Sequence, residues 1–190
     1  GHEGSVHKCL QERLANLTGG CAEAERRYMQ LASEDIRMNV PLKTSCETMQ
    51  KQFCEGIQDG QGRIIQCLLD HMHDEAVDEG CREELVAEQR KRAQSIDFNP
   101  LMKSACQKDL QELQEAQQCS KVKRAGWQIT CLTRHWKKIS DAECKRAVFK
   151  RLQMHSADIR AQPGMEAACR SDVAQLCPGI EAGAGRLHRC

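Results

Sequence analysis

The cysteines of this chain are spaced at intervals that repeat along the sequence, and this regularity constrains the fold more than any other feature. There are 13 cysteines in 190 residues. The same separation of 25 positions occurs three times, from Cys21 to Cys46, from Cys81 to Cys106 and from Cys144 to Cys169. The spacing defines a repeat, C-x7-C-x12-C-x13-C-x24, with two complete copies between two partial ones. We therefore expect four segments, at residues 1–40, 41–99, 100–162 and 163–190.

Glycine and proline follow the same register as the cysteines. A glycine stands five positions before the third cysteine of each copy, at Gly4, Gly62, Gly126 and Gly185. A proline stands five or six positions before the first cysteine, at Pro41, Pro100 and Pro163. Proline is well tolerated in the first turn of a helix, and glycine is typical of turns. This pattern predicts that each repeat starts a helix at its proline and turns at its glycine.

The apolar pattern of the first complete repeat predicts three helices. The first runs from Pro41 to about Cys54, the second begins near Ile64, and the third runs from about Cys81 to Ser95. The second complete repeat has four additional residues within the stretch QELQEAQQ, and these helix formers predict an added helical turn. The expected fold is all-α, an elongated array of tandem disulfide-stapled repeats of about 60 residues with roughly three helices each.

Disulfides are expected because each unit is too small and too poor in aromatic residues to be stable through its core alone. The chain has only six aromatic side chains, and a unit of about 60 residues is marginal. Two crosslinks per unit would contribute on the order of 3 kcal/mol each. Such a cysteine density indicates an oxidising compartment, and the absence of any CxxC pair argues against zinc ribbons and thioredoxin-type motifs.

Helix geometry favours a nested pairing of the cysteines within each repeat. Cys54 and Cys67 face each other across the turn near residue 58 or 59, and the start of the third helix brings Cys81 to Cys46. The pairs predicted on this scheme are Cys46–Cys81, Cys54–Cys67, Cys106–Cys144, Cys119–Cys131 and Cys177–Cys190. Cys9, Cys21 and Cys169 would then find partners outside this chain. The alternative scheme joins successive repeats through the constant interval, as Cys21–Cys46, Cys81–Cys106 and Cys144–Cys169, and sequence alone leaves both open.

Charge is unevenly distributed although the formal net charge is only +1. Residues 42–100 hold 7 basic and 12 acidic side chains, whereas residues 101–163 hold 13 and 6. The near-neutral total predicts neither nucleic-acid binding nor direct membrane contact by this segment. A candidate patch for an acidic partner, such as a sulfated glycan or an acidic protein face, comprises Lys121, Lys123, Arg124, Arg134, Lys137 and Lys138. The alternative interpretation is solvated helix faces together with attraction between the acidic repeat and its basic neighbour. Trp127 and Trp136 are expected to fill the core.

No catalytic, cofactor-binding or metal-binding motif is present in the sequence. His71 and His73 are two positions apart, and residues at that spacing do not share a helix face. No GxSxG, HExxH or phosphate-binding loop occurs, so the chain is not expected to be an enzyme. Asn16-Leu17-Thr18 forms an N-glycosylation sequon, which agrees with a secretory route.

The chain resembles the cysteine-rich repeats of the Golgi apparatus protein 1 family. The segments that carry the resemblance are SCETMQKQFCEGIQDGQGRIIQCL, ACRSDVAQLCPGIEAGAGRLHRC and EDIRMNVPLKTSC. The resemblance implies a multi-repeat lumenal or extracellular region, in the Golgi or outside the cell, often followed by a membrane span and binding ligands rather than catalysing reactions. Repeat membership does not transfer a particular ligand.

These observations lead to two functional hypotheses. The first is a set of binding or scaffolding repeats for a secreted or lumenal protein or for a glycan. The alternative is a structural linker subunit of a larger assembly. The chain has no initiator Met and ends on Cys190, so we expect a segment of a longer precursor.

Overall fold

The computed structural model describes residues 5–119, 126–161 and 163–190, and all regular structure in these ranges is helical. The all-α prediction is therefore confirmed for this part of the chain. Among the described residues, five short 3-10 segments lie between the α-helices, at Leu14–Asn16, Ile36–Met38, Ile96–Phe98, Trp136–Lys138 and Ile159–Ala161. The α-helices are α1 Ser5–Glu12, α2 Gly19–Glu34, α3 Val40–Ser45, α4 Glu47–Phe53, α5 Arg63–Asp70, α6 Glu79–Gln94, α7 Pro100–Glu115, α8 Trp127–Arg134, α9 Ala142–Ala157, α10 Pro163–Leu176 and α11 Arg186–Arg189.

The chain divides into two compact units, Gly1–Leu85 and Val86–Cys190, and the division falls within α6. In the first unit, α4 packs on α5. Its most deeply buried apolar side chains come from α3, α5 and α6: Leu42, Ile65, Leu68 and Leu85. In the second unit, α7, α8 and α9 pack together. Their shared core includes Met102, Leu113, Leu132 and Val148.

Proline and a preceding asparagine start the first helix of each complete repeat. Pro41 and Pro100 lie in the first turns of α3 and α7, where a missing N–H costs nothing. The side chain of Asn99 accepts a hydrogen bond from the Met102 amide at 3.3 Å, and Asn39 caps α3 in the same way. The capping asparagines are a second signal for the start of these helices, beside the prolines.

The repeated glycines begin the second helix in a left-handed backbone conformation. Gly62, Gly126 and Gly185 have φ angles of 70°, 69° and 68° and stand immediately before α5, α8 and α11. Residues with a Cβ atom adopt this conformation at a cost, which explains why glycine recurs. Gly4, the fourth member of this set, lies outside the described residues.

The first predicted helix is interrupted at its first cysteine. Cys46 separates α3 from α4 with φ −106° and ψ 14°, although its amide still bonds to the Leu42 carbonyl at 2.9 Å. In the second complete repeat, α7 runs without a break to Glu115. The extra residues therefore lengthen the helix beyond Cys106, and the rest form the turn that precedes Cys119.

Candidate binding surface

Two disulfides crosslink the first complete repeat. Cys46 is bonded to Cys81 at the start of α6, with Cα atoms 4.8 Å apart. Cys54 is bonded to Cys67 on α5, with Cα atoms 6.0 Å apart. The longer loop encloses the shorter one, so both crosslinks lie inside a single repeat as the nested scheme has them.

The later crosslinks occupy the same register. They are Cys106–Cys144, Cys119–Cys131 and Cys177–Cys190, with Cα separations of 4.7, 5.8 and 6.1 Å. In the second complete repeat, the longer crosslink joins α7 to α9 within the core, because Cys106 and Cys144 are fully buried. Three cysteines have free thiols in this structure, namely Cys9, Cys21 and Cys169.

A buried carboxylate fixes the approach to α9. Asp109 on α7 is almost fully buried and accepts hydrogen bonds from the Ser140 amide at 2.6 Å and the Ser140 hydroxyl at 3.0 Å. It also accepts from the Asp141 amide at 3.3 Å. Asp141 in turn caps α9 by accepting from the Cys144 amide at 2.9 Å. The crosslinked cysteine is thus positioned by two carboxylates in succession, of which Asp141 is the helix cap.

Three basic side chains at the end of α8 and just after it are exposed. Arg134 is the last residue of α8, and Lys137 and Lys138 follow in the 3-10 segment that packs against α9. All three are exposed, and none makes an ion pair with a carboxylate among the residues described by the structure. We call these three residues, together with Trp136, the basic surface. The other three members of the predicted patch, Lys121, Lys123 and Arg124, lie outside the described residues.

The two tryptophans have different environments. Trp127 packs against the core of the second unit, as expected for a large side chain in an aromatic-poor protein. Trp136 is 38% exposed, and the Lys137 ammonium lies 5.8 Å from the centre of its ring. The expectation that Trp136 fills the core is therefore wrong. Trp136 follows the end of α8 and lies among the exposed cations instead, within reach of a cation–π contact.

One basic residue of α9 is not on the surface. Arg151 is buried and donates a hydrogen bond to the Ala161 carbonyl at 2.8 Å. Burial lowers the pKa of Arg151 to about 10, and the nearby Arg92 guanidinium adds to this shift. One turn later on α9, His155 is also affected, because burial and the Arg151 charge lower its pKa to about 4. These side chains belong to the interior of the second unit rather than to the basic surface.

The glycosylation sequon is accessible. Asn16 ends a 3-10 segment, and both Asn16 and Thr18 are exposed. An exposed asparagine in a short connection between α1 and α2 is sterically suited to carry a glycan.

One group of potential metal ligands occurs within the part of the chain that the structure describes. The sulfur atoms of Cys119 and Cys131 and a ring nitrogen of His135 all lie within 4.8 Å of one another. The two cysteines are joined in a disulfide, whereas a cysteine binds a metal as a free thiolate. His71, whose spacing from His73 did not predict a metal site, stacks on Phe53 with ring centres 4.6 Å apart.

A groove of about 440 Å³ lies along α2. It is lined by Gly20, Glu23, Ala24, Arg27, Tyr28 and Leu31. Glu23 and Arg27 are 4.0 Å apart, and the Tyr28 hydroxyl donates to the Met38 carbonyl at 2.9 Å. The groove is therefore lined by an ion pair and by apolar side-chain atoms. This lining does not resemble an active site built from a nucleophile and a base.

The fold and the crosslinks define a class of protein, a tandem series of small helical repeats stapled by nested disulfides. A family model described as "Cysteine rich repeat" matches residues 20–76, 79–140 and 142–190. The chain belongs to this cysteine rich repeat family. The three matches start next to Cys21, Cys81 and Cys144, at the third helix of one repeat.

The chain is also similar to several curated proteins. It is 26% identical to Golgi apparatus protein 1 of Homo sapiens over 98% of this chain and 17% of that protein. It is 25% identical to Golgi apparatus protein 1 of Gallus gallus over 98% of this chain and 18% of that protein. It is 24% identical to a Golgi apparatus protein 1 homolog of Caenorhabditis elegans over 95% of this chain and 17% of that protein. The chain thus spans less than a fifth of the relatives it matches, and no solved structure matches it significantly.

Family and disulfide content together fit a location in the lumen of the secretory pathway or outside the cell. The names of the family and of the relatives indicate a non-enzymatic protein. Among the residues that the structure covers, no helix has both the length and the apolar character needed to cross a bilayer.

Sequence reasoning missed two functional features of the repeat. The sequence around Asp109 does not indicate that this side chain is buried, because its neighbours on α7 are as polar as those of an exposed carboxylate. Arg151 stands at the end of a stretch rich in basic residues, and this stretch does not indicate that its side chain is buried. In both cases the deciding information is which helix packs on which, and the periodic pattern of one helix does not contain it.

Proposed function

We propose that this chain is a non-catalytic binding segment of the secretory lumen or the cell exterior, and that its basic surface binds an acidic partner. The observation that carries the proposal is the environment of Arg134, Lys137 and Lys138. They are exposed, they follow one another within a few residues, and no described carboxylate neutralises them. Two other exposed cations of the second unit do have acidic partners: Lys103 lies 2.6 Å from Asp97 and Arg146 lies 2.7 Å from Glu143.

The chemistry of the basic surface suits sulfate or carboxylate groups. Guanidinium and ammonium groups form charge-assisted hydrogen bonds to such oxyanions, and arginine can do so in a bidentate manner. Trp136 adds an exposed aromatic ring beside these charges, and tryptophan is enriched where surfaces bind partners. The segment 101–163 as a whole carries 13 basic and 6 acidic side chains, which favours approach of a polyanion. Lys121, Lys123 and Arg124 are proposed members of the same surface from their sequence positions.

Binding to immobilised heparin, a sulfated glycan, tests this proposal. The triple variant Arg134→Glu, Lys137→Glu and Lys138→Glu should elute at distinctly lower salt than the unmodified chain, because exposed charge interactions are screened by salt. A control variant carries Arg27→Glu, Lys51→Glu and Lys108→Glu, which changes the net charge equally at side chains that are 76%, 74% and 79% exposed. Equal weakening by both variants would show binding through net charge alone and would contradict the proposal.

A competition experiment distinguishes a glycan from an acidic polypeptide. Soluble heparin and soluble poly-glutamate of similar length compete with the immobilised heparin for the unmodified chain at physiological salt. Stronger competition by heparin identifies a sulfated glycan as the partner class, and stronger competition by poly-glutamate identifies an acidic protein face. If neither polyanion competes for the unmodified chain, the basic surface has no acidic partner and the proposal is wrong.

A further inference from the structure

Each complete repeat has a histidine four positions after its third cysteine. Residues at this spacing lie on the same side of a helix, so the imidazole can approach the sulfur of that cysteine. The same sulfur is bonded to the second cysteine of the repeat. The three residues are Cys54, Cys67 and His71 in the first complete repeat, and Cys119, Cys131 and His135 in the second.

In the first complete repeat, an aromatic ring holds the imidazole. His71 stacks on Phe53, with ring centres 4.6 Å apart and planes inclined by 15°. Phe53 directly precedes Cys54 in the sequence. The ligand atoms of Cys54, Cys67 and His71 do not form a group that could hold a metal ion, although all three residues lie in the described part of the chain.

In the second complete repeat, the imidazole lies beside the sulfur atoms instead. The residue before Cys119 is Gln118, which has no ring on which a histidine can stack. A ring nitrogen of His135 and the sulfur atoms of Cys119 and Cys131 all lie within 4.8 Å of one another. The two repeats therefore share the three residues but differ in where the histidine points.

Two cysteines and a histidine are a donor set suited to zinc. Thiolate sulfur and imidazole nitrogen bind Zn²⁺ at about 2.3 Å and about 2.0 Å, and three such ligands leave a fourth position for water. In a tetrahedral site these ligand atoms are about 3.3–3.8 Å from one another. Since the three atoms already lie within 4.8 Å of one another, side-chain rotations suffice to place them around an ion.

The surroundings of these atoms are compatible with a bound cation. Cys119 and Cys131 are 7% and 8% exposed, whereas His135 is only partly buried and gives an ion access from the side of the imidazole. Arg134 and Lys137 are close in sequence and positively charged. Two thiolates carry two negative charges, so the loaded site is neutral and the neighbouring cations do not oppose it.

We propose that Cys119, Cys131 and His135 form a zinc site when the Cys119–Cys131 disulfide is reduced, so that Zn²⁺ and the disulfide bond compete for the same two sulfur atoms. The site belongs to the second complete repeat. In the first complete repeat, the stacking on Phe53 keeps His71 from completing the same set of ligands.

The exchange between disulfide and zinc site is a balanced reaction. Two molecules of a small thiol such as glutathione reduce the Cys119–Cys131 disulfide and leave as one small disulfide. The two cysteine thiols then release two protons to solvent and bind Zn²⁺ as thiolates. Two electrons pass from the small thiols to the protein sulfurs, and the zinc ion keeps its oxidation state.

The intact chain in a glutathione redox buffer tests this competition. It is equilibrated with a fixed concentration of free Zn²⁺ or with a chelator, and differential alkylation and peptide mapping then give the ratio of disulfide to dithiol for each cysteine pair. Because zinc binds only the reduced pair, it should lower this ratio at Cys119–Cys131 about tenfold once free Zn²⁺ is about ten times the Kd of the site. The ratio at Cys54–Cys67, measured in the same sample, should change by less than about twofold.

Two matched variants test the role of the histidine. His135→Gln removes the nitrogen ligand and should abolish most of the zinc-dependent change at Cys119–Cys131. His71→Gln makes the same substitution at the corresponding position of the first complete repeat, and it should leave that change intact. Both histidines are partly exposed, and circular dichroism without reductant verifies that both variants fold.

Three results would overturn the proposal. Zinc could leave the Cys119–Cys131 ratio unchanged, or it could change the ratios of both cysteine pairs equally, which would show only the general affinity of thiolates for zinc. The His135→Gln variant could also respond to zinc as the unmodified chain does. None of these measurements involves a polyanion, so they leave the proposed function of the basic surface untouched.

Discussion

A Cβ atom placed on Gly126 would lie 2.5 Å from the backbone carbonyl oxygen of Ala93. Ala93 lies near the end of α6, the third helix of one repeat, and Gly126 begins the second helix of the next. The close approach of these two backbones is possible only because glycine has no side chain.

A related contact occurs at two other repeat junctions, where the amide of the glycine donates a hydrogen bond to the carbonyl one position further along the preceding helix. The Gly62 amide donates to the Glu34 carbonyl at 2.7 Å, and the Gly185 amide donates to the Ala157 carbonyl at 2.6 Å. Glu34 and Ala157 are the last residues of α2 and α9. The repeated glycine therefore joins the end of one third helix to the turn of the following repeat.

The variant Gly126→Ala should lose about 3 kcal/mol of unfolding free energy, because it adds a left-handed alanine and a clash with a rigid backbone oxygen. The matched control is Gly56→Ala, where φ is 77° but no atom lies within 4 Å of the added Cβ. That variant should lose only about 1 kcal/mol, the conformational part of the effect. Denaturant unfolding without reductant measures both, and equal losses would show that the contact with Ala93 does not matter.

Removing the longer crosslink of a repeat should destabilise it more than removing the shorter one. The Cys46–Cys81 and Cys54–Cys67 disulfides span 35 and 13 positions, and chain entropy assigns them about 4 and about 3 kcal/mol. Cys46 and Cys81 are also fully buried, so replacing them with alanine leaves unfilled space in the core. Thermal unfolding of the two double cysteine-to-alanine variants should give the lower Tm for the buried pair, and the reverse order would contradict this account.

The variant Asp109→Ala should lose about 3 kcal/mol of unfolding free energy, because it removes the acceptor of three hydrogen bonds and leaves buried amides unpaired. Asp172→Ala is the matched control, since it changes the same register position on α10, where the side chain is exposed. Its effect should be within about 0.5 kcal/mol. A similar loss for both would mean that the hydrogen bonds to Ser140 and Asp141 contribute little.

Lowering the pH should destabilise the second unit through His155. Its pKa is about 4 in the folded protein against an ordinary value of 6.5, so the unfolded chain binds the proton more readily. The stability that neutral His155 provides is complete above about pH 6.5 and is lost as the pH falls toward 4. We expect a loss of about 1–2 kcal/mol across this range once partial solvent exposure is allowed for. The variant His155→Gln should lose less stability between pH 7 and pH 4.5, and an unchanged pH dependence would disprove the role of His155.

Residues with strong local preferences allowed much of the fold to be predicted from sequence. Pro100 predicted the start of α7, and the glycines predicted the turns that begin α5 and α8. The third helix, expected from about Cys81 to Ser95, runs from Glu79 to Gln94. These positions depend on backbone φ angles and missing donors, which each residue type determines largely by itself.

The remaining features depend on tertiary contacts that no local pattern encodes. Asp109 and Asp172 occupy the same position in two helices, each three residues after a cysteine, yet one is buried and the other is exposed. The difference arises because α9 covers α7, whereas no helix among the described residues covers Asp172. The break at Cys46 also lacks a local signal in the sequence.

The nested crosslinks determine how far this polypeptide can lengthen under mechanical tension. The loops closed by Cys46–Cys81 and Cys106–Cys144 keep residues 35 and 38 positions apart with their Cα atoms 4.8 and 4.7 Å from each other. Pulling on the two ends cannot extend the chain inside those loops. Between Cys81 and Cys106 no described crosslink intervenes, and that interval can be drawn out to about 85 Å at most. An array of such repeats therefore yields to force in limited and nearly equal steps, one for each interval between loops.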